Sequence, residues 1–213
     1  MRASAAQARG ALLNRGLLLE YITVGWNIVE GIVAIGAGIL AGSPALIGFG
    51  ADSFIESISG GVLIWRLAGE RSGRHDEEAI ERTERLAEHI VGASFFILAA
   101  YVAFEAVRAL VTAAAPDASP IGIGLTAVSI VVMLWLARAK LRTGEALGSR
   151  ALMADAQQTY ACWYLSITAL AGLALNALLG LWWADPVAAL AIVVFLLREG
   201  WEAWNGEDHD DHD

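Results

Sequence analysis

Residues 156–184 read AQQTYACWYLSITALAGLALNALLGLWWA, and none of these 29 residues is charged. An α-helix needs about 20 mostly apolar residues to cross the ~30 Å hydrocarbon core of a bilayer, so this segment predicts a transmembrane helix. The whole chain shares this character, because 57% of its 213 residues are apolar and 17% are charged, against about 45–50% and 25% in soluble domains. The composition indicates an all-α membrane protein. It excludes a disordered chain, and the single cysteine excludes a disulfide scaffold.

The same length criterion predicts six transmembrane helices separated by short connections. Their predicted bounds are 17–41, 44–68, 87–114, 119–138, 153–179 and 182–200. Pro44 suits the first turn of the second helix. We therefore expect a cytoplasmic N-terminal segment at 1–16, a six-helix transmembrane domain at 17–200 and an acidic, His-containing cytoplasmic tail at 201–213.

The distribution of Lys and Arg predicts the orientation of these helices. Thirteen of the 14 basic residues lie on one side: before span 1, at the end of span 6, or at and between the facing ends of spans 2 and 3 and of spans 4 and 5, where Lys140 is counted. Only Arg108 is near the other side. The positive-inside rule then places both termini in the cytoplasm. We expect a multi-pass protein of a bacterial inner membrane. The net charge of −9 argues against nucleic acid as a partner.

The segment between spans 2 and 3 predicts a further helical stretch. Residues 76–88 read as a cytoplasmic helix that continues into span 3. The pairs Glu78–Arg82 and Glu81–Arg85 have the i,i+4 spacing, acid first, that stabilises a helix. We interpret this stretch as a solvated helix face.

Several carboxylic acids fall inside the predicted spans, where ionisable groups are costly and face a cavity or a partner. They are Glu20, Glu30, Asp52, Glu56, Glu105 and Asp155. Snorkelling to the interface or pairing with a nearby residue explains three of them, Glu20, Glu105 and Asp155. Glu105, for example, can pair with Arg108 at the i,i+3 spacing. The other three are harder to explain in that way.

Asp52 and Glu56 are four residues apart and therefore share one helical face. Two such carboxylates repel each other unless a cation or a proton lies between them. A bound divalent cation would relieve this repulsion, so the pair indicates a divalent-ion site. The alternative is that polar groups of a neighbouring helix satisfy both carboxyl groups. A second set lies on span 5, where Asp155, Gln158 and Cys162 follow at i, i+3 and i+7.

Two of the candidate metal-binding features have a simpler alternative. Cys162, the only cysteine, could be a small apolar filler rather than a ligand. The tail Asp208-His209-Asp210-Asp211-His212-Asp213 could bind metal weakly or form a disordered acidic end.

The first half of the chain resembles the transmembrane domain of the cation diffusion facilitator family, the divalent-metal/proton antiporters. The resemblance begins at Val29-Glu30-Gly31 and continues through Ser43-Pro44-Ala45-Leu46, which is similar to the family's Ser-Leu-Ala-Leu turn. Nine residues after that serine, the family places the first ligand of an (Asp/His)-x-x-x-Asp pair. The resemblance implies that Asp52 and Glu56 form this pair.

The second half is similar to the family with two replacements. Residues 154–158 resemble the segment that leads into the family's His-x-x-x-Asp pair, and Gln158 and Cys162 stand at those two positions. Most of the family also carries a cytoplasmic C-terminal domain that helps it to dimerise. This chain ends about a dozen residues after span 6, so we expect a short form without that domain, and the resemblance implies a homodimer.

The residues and the resemblance together predict a metal site between spans 2 and 5. Asp52, Glu56 and Cys162 would bind the ion, with Asp155 or Gln158 as the fourth ligand, and Glu30 is a further candidate. Zinc accepts four mixed ligands of this kind, so we expect zinc efflux by proton antiport, with cadmium, cobalt and manganese as alternative ions.

Two other classes of function compete with a transporter. A non-transporting membrane protein that binds metal or a partner is favoured by the altered span 5 pair. An enzyme is not expected, because no Ser-His or Cys-His pair and no His-Glu-x-x-His motif is found on any span.

Overall fold

The computed structural model describes residues 2–72 and 77–205, with side chains from residue 7 onward except 77–81, 83–85, 87 and 88. The described residues form six helices: α1 Arg2–Ala41, α2 Pro44–Arg71, α3 Glu77–Thr112, α4 Pro120–Leu147, α5 Arg150–Leu179 and α6 Ala184–Asn205. The predicted all-α architecture of six helices is confirmed. The predicted pairs Glu78–Arg82 and Glu81–Arg85 and most of the predicted tail lie outside the described residues.

Five of the helices, α1 to α5, are long and apolar enough to cross a membrane. The sixth, α6, carries Asp185 near its first residue and Arg198, Glu199 and Glu202 near its last turns. Large apolar side chains cover the outside of the bundle. Among them are Leu18, Ile32, Ile39, Val111, Leu178 and Val194. An apolar exterior around a polar interior is the reverse of a soluble protein and is typical of a membrane protein.

The helix ends follow from local sequence. Ser43 caps α2 by accepting a hydrogen bond from the Leu46 backbone N–H at 3.1 Å, with Pro44 in the first turn. Ser119 and Ser149 cap α4 and α5 in the same way. Gly148 ends α4 with a positive φ of 67°, a conformation that glycine adopts without strain.

The helices are longer than their predicted spans, because the apolar-run criterion detects only the part that crosses the bilayer. Helix α1 already begins at Arg2, and α4 continues to Leu147, nine residues beyond the predicted end at 138. Helix α3 is continuous from Glu77, which confirms the predicted stretch before span 3.

Helix α1 packs against α2 and α4, α3 against α6 and α2, and α5 against α4, α6 and α2. Small residues permit the closest approach of α1 and α2, since a Cβ on Gly50 would lie 2.7 Å from the Ala34 Cβ and 2.9 Å from the Ile35 nitrogen. Gly38 and Gly60 also lie at close contacts, whereas Gly36 and Gly61 face open space.

Two hydrogen bonds place three of the connections at one end of the bundle. The Asp117 backbone N–H donates to the Ala41 carbonyl at 2.8 Å, and Asn176 Nδ2 donates to the Pro116 carbonyl at 2.8 Å. At the opposite end, Arg9 pairs with Glu70 at 2.5 Å. The 1–2, 3–4 and 5–6 connections therefore share one face, as the six-span prediction requires.

Candidate metal centre

The centre of the bundle holds a polar cluster between α2 and α5. Asp52 and Glu56 lie on the inward face of α2, with 3% and 1% of their surface exposed. The Cys162 thiol donates to Asp52 Oδ2, with Sγ and Oδ2 3.2 Å apart, and Glu56 follows one helical turn after Asp52 on the same face of α2. The structure therefore brings these three predicted site residues together.

Two residues that the sequence did not single out complete the contacts of Glu56. Asn27 Nδ2 on α1 donates to Glu56 Oε2 at 2.7 Å, and the Thr159 hydroxyl on α5 donates to Oε1 at 3.1 Å. Neither donor is charged. Thr159 lies three residues before Cys162 and therefore on the same face of α5, so the sequence could have identified it. The sequence around Asn27 contains no comparable signal.

Asp52 has the poorest partner of the buried carboxyl groups. In the described part of the chain its side chain receives one hydrogen bond, from a thiol, which is a weak donor. Glu56 lies one helical turn away, so two carboxyl groups share a small buried volume, and no basic side chain that the structure describes contacts either of them directly. Such a pair needs a proton or a cation.

A second polar cluster lies on the side of Thr159 away from Cys162. Lys140 is completely buried, and its Nζ lies 2.5 Å from Asp155 Oδ2 and 3.1 Å from Glu20 Oε2. It also donates to the Thr159 hydroxyl at 3.2 Å. Thr159 thus links the ammonium group of Lys140 to the carboxyl group of Glu56.

This cluster corrects three interpretations from the sequence. Lys140 is not a loop cation, because α4 extends beyond it and turns its side chain inward. Glu20 and Asp155 neither snorkel nor pair locally, because both bind Lys140 inside the bundle. The predicted pairing of Glu105 with Arg108 is confirmed, with Glu105 Oε2 2.5 Å from Arg108 Nη2.

Glu30 lies in a separate site between α1, α2 and α4. It accepts hydrogen bonds from Trp26 Nε1 at 3.2 Å, from the Ser53 hydroxyl at 3.0 Å and from the Ser129 hydroxyl. Three neutral donors therefore satisfy this carboxyl group. Gln158, the remaining predicted ligand, is only half-buried on α5.

Asp185 was not singled out from the sequence, although it is the fourth residue of the predicted span 182–200. It is fully buried at the start of α6, and the Ser43 hydroxyl donates to its Oδ2 at 2.5 Å. This contact joins the first turn of α6 to the N-terminal cap of α2.

The cluster is not arranged as a ready coordination shell. Over residues 2–72 and 77–205, no group of three or more His, Cys, Asp and Glu side chains is placed so that it could hold a metal ion. Asp52 and Cys162 are joined directly by a hydrogen bond, which a bound ion would replace.

An apolar helical bundle with buried acidic groups near its centre defines an integral membrane protein of the multi-pass helical class. Residues 21–204 match the family model described as the cation efflux transmembrane domain, and the chain belongs to this family. The predicted family is therefore confirmed, and it is a family of transporters.

Three bacterial relatives are similar over most of this chain. The cadmium, cobalt and zinc/H(+)-K(+) antiporters of Bacillus velezensis and Bacillus subtilis are each 24% identical over 197 residues, which is 91% of this chain and 61% of each relative. An uncharacterized transporter of Synechocystis is 25% identical over 181 residues, which is 84% of this chain and 58% of the relative. The chain spans about three fifths of the length of these relatives.

Proposed function

We propose that this protein moves zinc across the membrane in exchange for protons, through a site formed by Asp52, Glu56 and Cys162. One observation carries the proposal: Asp52 is buried beside Glu56, and among the described residues only a thiol donates a hydrogen bond to it. A divalent cation would neutralise both carboxyl groups and take the place of that bond. The names of the two Bacillus relatives, which include cadmium, cobalt and zinc, support the choice of ions.

The chemistry of the cluster supports proton exchange. A buried carboxyl group is more stable when it carries a proton, and a divalent ion displaces that proton when it binds. Asp52, Glu56 and Cys162 can each lose a proton to water when the ion binds. Loading and unloading of metal would then move protons in the opposite direction without a further cofactor.

Transport in sealed vesicles tests the proposal. Purified protein in proteoliposomes with a trapped zinc indicator should show zinc flux that depends on an imposed pH gradient. Asp52→Asn keeps the shape of the side chain but removes its charge, so it should abolish the flux. Asp117→Asn, a change at an exposed carboxyl group on the end of the bundle, is the matched control and should leave the flux intact.

A non-transporting metal-binding protein is the second candidate. It is favoured by Gln158, which stands at a ligand position of the family but is only half-buried. Zinc binding that Asp52→Asn removes, without any gradient-dependent flux, would identify this candidate. The homodimer, the cytoplasmic location of both termini and the bacterial inner membrane stay predictions.

A further inference from the structure

In the part of the chain that the structure describes, the amide oxygen of Asn27 is a buried polar atom without a hydrogen-bond partner. Asn27 is completely buried on α1, and its Nδ2 donates to Glu56 Oε2 at 2.7 Å. None of the described residues donates a hydrogen bond to its Oδ1. Leaving a buried acceptor unsatisfied costs about 1–3 kcal/mol, so such an atom calls for an explanation.

The proposed zinc site also lacks a ligand. Asp52, Glu56 and Cys162 supply three, and zinc is almost always four-coordinate. Asp155 cannot be the fourth ligand together with Cys162, because seven residues separate them along α5, an axial distance of about 10 Å. Asp155 is moreover bound to Lys140 at 2.5 Å.

Asn27 is well placed to fill this position. Its oxygen belongs to the same amide group as the nitrogen that contacts Glu56, so it lies beside that carboxyl group. Terminal rotation of an Asn side chain is soft, and an amide oxygen is a neutral ligand that adds no charge to a site already holding two carboxylates. None of the described residues donates to Oδ1, so the only side-chain hydrogen bond among them that such a rotation would give up is the one from Nδ2 to Glu56, a carboxyl group that would then bind the ion.

We propose that Asn27 on α1 is a further ligand of the transported divalent cation, in addition to the groups on α2 and α5. The inference rests on the proposed function. It implies that α1 contributes directly to ion binding, and that the amide nitrogen holds Glu56 in place while the ion is absent.

Cadmium binding to an Asn27→Cys variant tests the contact directly. Each thiolate bound to Cd²⁺ adds a charge-transfer absorbance in the ultraviolet, and cadmium prefers thiolate ligands. Purified protein in detergent with a phosphine reductant is titrated with Cd²⁺. If position 27 contacts the ion, the absorbance per bound cadmium should be about twofold that of the unchanged chain, where Cys162 supplies the one thiolate.

Asn176→Cys is the matched control. Asn176 is a half-buried asparagine on α5 whose Nδ2 donates to the Pro116 carbonyl at the end of the bundle. Its replacement adds a thiol far from Glu56, so the absorbance should not change. An unchanged absorbance in Asn27→Cys, with cadmium still bound, would overturn the inference.

Asn27→Ala provides an independent measurement if Asn27→Cys does not fold. Loss of one ligand should weaken Cd²⁺ binding by about tenfold or more, and an unchanged affinity would overturn the inference. If the unchanged chain binds cadmium and Asp52→Asn does not, only the role of Asn27 is in question. If the unchanged chain binds no cadmium, both the proposed function and the inference about Asn27 fail.

Discussion

Lys140 is the residue whose replacement should destabilise this protein most. Its ammonium group is completely buried and lies within 3.1 Å of two carboxyl groups, those of Glu20 and Asp155, which are themselves buried. Lys140→Met keeps the length and apolar character of the side chain but removes the charge. Two carboxyl groups would then remain in the bundle without their cation.

The size of the destabilisation follows from the two buried carboxyl groups that lose their cation. Removing one partner of a buried ion pair typically costs about 3–5 kcal/mol, because the remaining charge is buried and uncompensated. We expect Lys140→Met to lower the free energy of unfolding by this amount. Glu20→Gln should cost less, since the shorter contact of Lys140 with Asp155, at 2.5 Å, remains.

Two variants separate this effect from a loss of packing. The triple variant Lys140→Met, Glu20→Gln, Asp155→Asn removes all three charges and should recover most of the lost stability, because neutral replacement of a buried ionic group is often tolerated. Arg142→Met, an exposed cation two residues along α4, should have little effect. Equilibrium unfolding in mixed detergent micelles, followed by tryptophan fluorescence, measures all of these. If Lys140→Met unfolds like the unchanged chain, Lys140 does not stabilise the fold by compensating the charges of Glu20 and Asp155.

Three further outcomes are expected. Cys162→Ser should weaken cadmium binding by about tenfold and zinc binding less, because a hydroxyl group keeps the size but loses the softness of the thiolate; equal losses for the two ions would exclude a thiolate ligand. Gly50→Ala should destabilise the bundle by about 1–3 kcal/mol, because its Cβ would meet α1 backbone, whereas Gly61→Ala faces open space and should be tolerated in the same unfolding assay. Single cysteines at 72 and 117, in a chain without Cys162, should react with an impermeant thiol reagent from opposite sides of the membrane, and labelling from the same side would contradict the six-span topology.

The fold could be predicted because its main determinants are local. The length of an apolar run and the serine, proline and glycine signals at helix ends depend on neighbouring residues alone, so Ser43-Pro44 identified the start of α2 correctly. The helix ends that continue beyond the apolar runs were less well predicted. There α4 extends to Leu147 through charged residues that the apolar-run criterion treats as a loop.

The candidate site was predicted in part, for a related reason. Helical periodicity places Asp52 and Glu56 on one face, and the structure puts Cys162 against Asp52. The partners from other helices have no such local signal. Asn27 contacts Glu56 across 29 residues and Lys140 contacts Glu20 across 120, so only the packing of α1 against α2 and α4 reveals them.

The helical period also explains why Asp155 and Cys162 belong to different clusters although they share a face. Asp155, Thr159 and Cys162 all point inward, but each step of three or four residues advances the chain by about 5 Å along the axis. Helices α2 and α5 run in opposite directions, so Cys162 meets Asp52, Thr159 meets Glu56, and Asp155 lies one turn further on, where Lys140 approaches from α4. A shared face identified residues that point to the same side of the helix. Whether they bind the same ion depends on the axial distance, and that distance separates the proposed metal site from a cluster that already holds its own cation.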